Sequence, residues 1–244
     1  MYHEYTTLCQ RNGYSTRKGN LNDKNSNGYT ELHYACYNNR LSSVVSLLND
    51  GMDINLKDNI YGETPIMIAC SCGSNDMVKL LLTYGADIHQ KSKKGYSLIH
   101  FVCYYDHVDI IRILLVRGVN VNEKSNDGNT PLKIACCYDN YDIAKLLLES
   151  GANANSENKY NDTCMHVTCN MNYHDLTKLL LKHGANSYKK NHYDETPISI
   201  ARKKGFHNIV KLINKEMKKR IYILSLIIQY DVMKHHIIGK VNNL

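Results

Sequence analysis

Apolar residues along this chain fall into short clusters that return every 33 or 34 residues. Met77-Val78-Lys79-Leu80-Leu81-Leu82, Ile110-Ile111-Arg112-Ile113-Leu114-Leu115 and Ile143-Ala144-Lys145-Leu146-Leu147-Leu148 are three copies of one pattern, apolar at helical spacing. Glycines close these copies at Gly51, Gly85, Gly118, Gly151 and Gly184, where a C′ residue stops a helix. A shorter apolar stretch precedes each cluster, as in Thr64-Pro65-Ile66-Met67, Ser97-Leu98-Ile99-His100 and Thr130-Pro131-Leu132-Lys133. The hydroxyl residue suits an N-cap, and proline suits the next position, where its missing N–H costs nothing. All three prolines of the chain, Pro65, Pro131 and Pro197, occupy this one slot.

Each unit therefore predicts two short helices. Ahead of the first stands Gly28, Gly62, Gly95 or Gly128, with Asn161 and Asp194 in the later copies. These are the residue types that tolerate positive φ, so the slot predicts a tight turn. Five cysteines, Cys36, Cys70, Cys103, Cys136 and Cys169, keep the same interval. A unit copied at this period marks a solenoid.

The segments TELHYAC, ETPIMIAC and NTPLKIAC resemble the T-P-L-H-x-A signature of the ankyrin repeat. The resemblance runs in register over about residues 25–216, with repeats at about 25–57, 58–91, 92–124, 125–157, 158–190 and 191–216. It implies an all-α ankyrin-repeat solenoid, with a β-hairpin loop and two antiparallel helices per repeat. It also implies a non-enzymatic module that binds a partner protein through its concave face, without a cofactor. His33, His100 and His166 hold the fourth position of the tetrapeptide. In the family this histidine bonds the Thr hydroxyl and neighbouring backbone, tying one unit to the next.

Composition and charge refine the picture. The chain carries 30 Lys/Arg and 23 Asp/Glu, but twelve of the basic and four of the acidic side chains lie in residues 189–244. The body is close to neutral, which argues against nucleic acid as a partner, because that requires a basic stripe. Residues 217–244 read as a basic and apolar helical tail, packed on the last repeat or on a partner. Lys218-Lys219-Arg220 offers weak contact with an anionic surface. The tail's apolar stretch, Ile221 to Ile228, is too short to span a bilayer. Residues 1–24 read as a degenerate N-terminal cap or a flexible tail. Their lack of an apolar stretch behind a basic start predicts no export, hence reduced cysteines and a cytoplasmic chain, with the nucleus as the other compartment.

Candidate chemistry is sparse. No phosphate loop, H-E-x-x-H, C-x-x-C or G-x-S-x-G motif occurs, so neither catalysis nor a metal site is expected. Cysteines in successive repeats are a helix-packing distance of about 8–10 Å apart, too far to share zinc or to pair, so they read as small core residues. His235-His236 has no third ligand nearby in sequence.

Tyrosine stands out, at 19 against 2 Phe and no Trp. Tyr29, Tyr61, Tyr96, Tyr160 and Tyr193 fall in the hairpins. Tyr37, Tyr104, Tyr105 and Tyr138 fall at first-helix ends, beside Asn38. In the ankyrin layout both sets face outward on the concave side, and exposed Tyr is a common interface anchor. These ten residues are the expected partner-binding set.

The Asn, Lys, Ile and Tyr abundance and the worn, cysteine-rich repeats resemble ankyrin proteins of poxviruses and other large DNA viruses. That resemblance implies a host protein as partner and the host cytoplasm as compartment. Many such proteins end in an F-box-like segment that opens with Leu-Pro and recruits a ubiquitin ligase. This tail has no proline after Pro197 and matches that segment poorly. A ligase adaptor and a worn fragment of a longer ankyrin gene stand as the alternative readings.

Overall fold

A computed structural model describes residues 21–241, with side chains as far as Tyr230. Cys9 and most of the expected N-terminal cap, residues 1–20, lie outside the described residues, as do the side chains of His235 and His236. Among the described residues there are twelve helices and no strand. The chain divides into two compact units, the first ending at Lys159 and the second starting at Tyr160.

The first unit holds four helix pairs: α1 (Glu31–Tyr37) with α2 (Leu41–Asn49), α3 (Pro65–Ser71) with α4 (Asn75–Thr83), α5 (Leu98–Tyr105) with α6 (Val108–Val116), and α7 (Pro131–Cys137) with α8 (Tyr141–Glu149). First helices stack in order, α1 on α3 on α5 on α7, and α4, α6 and α8 stack behind them. The second unit holds α9 (Cys164–Met171) with α10 (His174–Lys182), and α11 (Pro197–Lys203) with α12 (His207–Val241). There α9 packs on α11 and α10 on α12.

The local reasons match the sequence pattern. Pro65, Pro131 and Pro197 each begin a first helix. Thr130 Oγ1 caps α7 by accepting from the Lys133 N–H, and Thr196 and Ser199 close a reciprocal box on α11. Every residue of the opening-turn slot has positive φ, from +56° at Asn161 to +82° at Gly28. The apolar faces close on one another: Ile66, Leu98 and Leu132 from first helices, and Leu81, Ile111 and Ile143 from second helices, are fully buried. Each such side chain stabilises the fold by about 1.5–3 kcal/mol. All five ladder cysteines are also wholly buried, and the chain's next copy of that slot, Arg202, is exposed.

The hairpins do not form strands. Each accepts one backbone bond from the next, Asn59 N–H to Asn27 O, Lys93 N–H to Tyr61 O, Asn126 N–H to Lys94 O and Lys159 N–H to Asp127 O in the first unit. In the second unit His192 N–H donates to Tyr160 O.

Two further periodic devices stitch repeats together. Thr30, Ser97 and Thr163 cap their helices jointly with His33, His100 and His166. The far nitrogen of each ring reaches the next copy, 3.2 Å from Glu63 O, 3.0 Å from Asn129 O and 3.2 Å from Glu195 O. This is the tie that the ankyrin resemblance implies. It alternates with proline: the copies with His lack Pro, and those with Pro carry Met67, Lys133 or Ser199 instead.

The second device is a lysine column in the first unit. Lys24 Nζ donates to Lys57 O, Lys57 Nζ to Lys91 O, Lys91 Nζ to Lys124 O and Lys124 Nζ to Glu157 O. All four bonds are exposed, so each adds little to stability.

The tail starts inside a helix. The chain does not break after Glu216. The second helix of the last pair runs unbroken from His207 to Val241. Its first turns pack on the repeats through Ile209, Leu212 and Ile213, and Arg220 donates to Leu181 O. From Ile221 to Tyr230 every side chain is exposed.

Candidate interaction surface

In the first unit, five of the ten expected residues converge on one pocket of about 200 Å³: Tyr61, Tyr96, Tyr104, Tyr105 and Tyr138. Three successive repeats build it. The second contributes its hairpin, the third its hairpin and α5, and the fourth the end of α7.

The first-helix ends place Tyr104, Tyr105 and Tyr138 side by side. Ring centroids are 4.6 Å apart for Tyr104–Tyr105 and 4.3 Å for Tyr104–Tyr138, at steep interplanar angles that suit aromatic pairs. Tyr96 stacks on His100 at 5.4 Å and meets the edge of Phe101 at 6.1 Å. The histidine that stitches repeats three and four thus also backs the pocket.

Burial raises the phenols of Tyr96, Tyr105 and Tyr138 above their ordinary range, and at Tyr138 a hydrogen bond with Tyr104 adds to it. They remain protonated hydroxyls at neutral pH. The pocket therefore presents an apolar aromatic floor with O–H groups, and exposed Lys93 and Lys94 at its rim. The sequence reading missed Ile60, Phe101 and Ile134, which add apolar lining beside the polar Glu63 and Ser92. Their signal is positional: Ile60 precedes a hairpin tyrosine, and Phe101 and Ile134 lie one turn before the helix-end tyrosines.

The other five residues lie elsewhere. Tyr29 is a correction. It is only 3% exposed and packs against His33 and Tyr34, at 5.8 and 6.0 Å between ring centroids, so it is a core residue. The reason lies in the turn. Tyr29 and Tyr96 follow the positive-φ residue, and there the chain folds the ring back over the first helix. Tyr61, Tyr160 and Tyr193 precede it and point away. Tyr160 and Tyr193, in the second unit, are 46% and 72% exposed. Tyr37 is half-buried and Asn38 exposed at the end of α1, apart from the pocket. Asn38 donates to Tyr34 O.

Burial pushes the thiols of Cys36, Cys70 and Cys103 well above their usual range, and that of Cys169 up to about 12. A protonated thiol is neither a nucleophile nor a ready metal ligand. Among the described residues no group of three or more His, Cys, Asp or Glu could hold a metal ion. Nor is any described helix long and apolar enough to cross a membrane.

Comparison with known proteins adds the family. The ankyrin-repeat family profile (Ankyrin repeats, three copies) matches residues 6–92, 66–158 and 150–222. A tyrosine-protein kinase, HTK16, of Hydra vulgaris is 37% identical over 83 residues, 32% of this chain and 11% of that protein. A human ankyrin and armadillo repeat-containing protein is 31% identical over 96 residues, 38% of this chain and 7% of its own length. The rat ankyrin repeat and SAM domain-containing protein 6 is 34% identical over 82 residues, 34% of this chain and 9% of that one. The chain thus spans about a tenth of the curated relatives it matches.

Proposed function

The chain belongs to the ankyrin-repeat family, and from that premise we propose that it is a non-enzymatic module that binds a partner protein at the tyrosine pocket of its first unit. One observation carries this reading. Three consecutive repeats each deliver aromatic side chains to one cavity, and all five of its tyrosines come from positions that vary between copies. Repeated positions serve stacking, so side chains at the varying ones are free to serve recognition. Tyrosine gives large contact area with only two side-chain torsions to freeze, and a desolvated aromatic pocket is where binding energy concentrates. The chain works in the cytoplasm, where its buried cysteines stay thiols.

The test is affinity capture on the immobilised full chain, comparing the wild type with Tyr104→Ala, Tyr138→Ala and Tyr193→Ala. A single partner should be recovered in stoichiometric amount. Its recovery should fall by tenfold or more, about 1.4 kcal/mol, for the two pocket variants and stay unchanged for Tyr193→Ala. Equal recovery on all four proteins would remove the pocket from the interface.

A further inference from the structure

Among the described residues, the exposed part of α12 is a strongly apolar surface that the repeats leave unexplained. Eight of the ten residues from Ile221 to Tyr230 are large and apolar or aromatic, and each is 45–65% exposed. Contiguous apolar exposure of this kind marks a docking surface.

Its pattern narrows the occupant. Ser225 and Gln229, four apart, share one face. Lys211, Lys215, Lys218 and Tyr222 continue the same stripe toward the N-terminus at alternating spacings of four and three. From Ile221 to Tyr230 the helix is therefore polar only at Ser225 and Gln229 and apolar or aromatic over the rest of its circumference. Along the same helix Ile209 and Ile213 are buried on the repeats. The apolar surface then continues past the last repeat, through Ile223, Leu224 and Ile227. Arg220, bonded to Leu181 O, pins the helix where it leaves the repeats.

A second copy of the helix would cover a narrow seam of about two positions in seven, leaving most of this surface in water. A lipid headgroup boundary covers a broad apolar face and leaves only the polar stripe outside. Charge agrees, because Lys215, Lys218 and Lys219 stand at the start of the apolar segment. We propose that Lys215–Tyr230 is an interfacial anchor that lays the chain on an anionic bilayer without crossing it.

The test is flotation of the full chain with phosphatidylcholine vesicles, with and without about 30% phosphatidylserine, alongside sedimentation equilibrium without lipid. The chain should float with the anionic vesicles and stay behind with the neutral ones. The Leu224→Asp/Ile227→Asp variant should lose flotation while keeping its helical circular dichroism. Lys218→Glu/Lys219→Glu should weaken binding at least about tenfold, since each lysine near such a surface contributes about 1 kcal/mol. Equal flotation with neutral vesicles, or none with either, overturns the proposal. So does a dimer that Leu224→Asp/Ile227→Asp dissociates while vesicles stay unbound, which would assign the face to a second copy.

Discussion

His100 holds Asn129 of the following repeat, with Nε2 3.0 Å from the carbonyl oxygen, while its Nδ1 accepts from the Ser97 N–H at 3.2 Å. Both ring nitrogens are committed, and the arrangement requires a neutral ring with its proton on Nε2. Burial holds the ring neutral, lowering the pKa of His100, and equally of His33, from 6.5 to about 4. Between those values the unfolded chain binds more protons than the folded one. Stability is therefore full above pH 6.5 and falls as pH drops toward 4, by up to about 1.4 kcal/mol per pH unit for each histidine. Urea unfolding at a series of pH values should show this slope, and His100→Gln should flatten it by about one proton. A slope unchanged in that variant would mean other groups set the acid limit.

The opening turns are held by space as well as by φ. At Gly95, φ is +75° and an added Cβ would stand 2.7 Å from the backbone nitrogen of Asn126. That nitrogen makes the backbone–backbone bond between the third and fourth hairpins, donating to Lys94 O. At Gly51, φ is +93° but nothing lies within 4 Å. Gly51→Ala should cost about 1 kcal/mol from backbone strain alone. Gly95→Ala should cost about 3 kcal/mol, because it adds the clash and breaks the bond. Equal losses in thermal unfolding would contradict this ranking.

Thr64 and Thr130 share one slot but do different work. Thr130 Oγ1 accepts from Lys133 N, whereas Thr64 Oγ1 is buried with no hydrogen bond among the described residues. Replacing Thr64 by valine removes an unsatisfied hydroxyl at constant shape, so its stability should hold or rise by up to about 1 kcal/mol. Thr130→Val loses a working cap and should cost about 1 kcal/mol. Denaturant midpoints of the two variants should move apart.

The cysteine ladder predicts a reactivity order. Cys103 is fully buried with its thiol pushed up by desolvation, while Cys137 on the same surface as Tyr138 is exposed. A thiol-specific disulfide reagent at pH 8 should label Cys137 in the folded protein and leave Cys36, Cys70 and Cys103 until unfolding. Peptide mapping after timed labelling would show it. Labelling of Cys103 at the rate of Cys137 would place the ladder outside the core.

Much of this was legible in sequence because it is local. A positive-φ turn, an N-cap and an N1 proline are each decided within four residues, and the pattern recurs in register along the chain. Tyrosines at the ends of the first helices were legible for the same reason. What escaped depends on packing between copies. Whether a hairpin tyrosine folds over its own first helix or reaches a neighbouring repeat turns on its side of the turn residue, which buries Tyr29 and carries Tyr61 to the pocket. The lysine column joins residues 33 or 34 apart, and composition gives no sign of it. The unbroken α12 escaped because the change of composition at residue 217 reads as the start of a separate helical tail, whereas nothing in that segment interrupts helical hydrogen bonding.

The alternation of histidine and proline also bears on how such a chain can lengthen or shorten. His33, His100 and His166 recur at 67 and 66 residues, twice the repeat. Removing residues 92–124 alone would set the Pro65 copy directly before the Pro131 copy, with no imidazole to reach across. Two junctions without an imidazole would then lie side by side, whereas removing that copy and its proline-bearing successor together would keep each such junction between two that have one. The unit whose duplication or excision preserves the alternation is the couplet, and the array keeps a grammar of two.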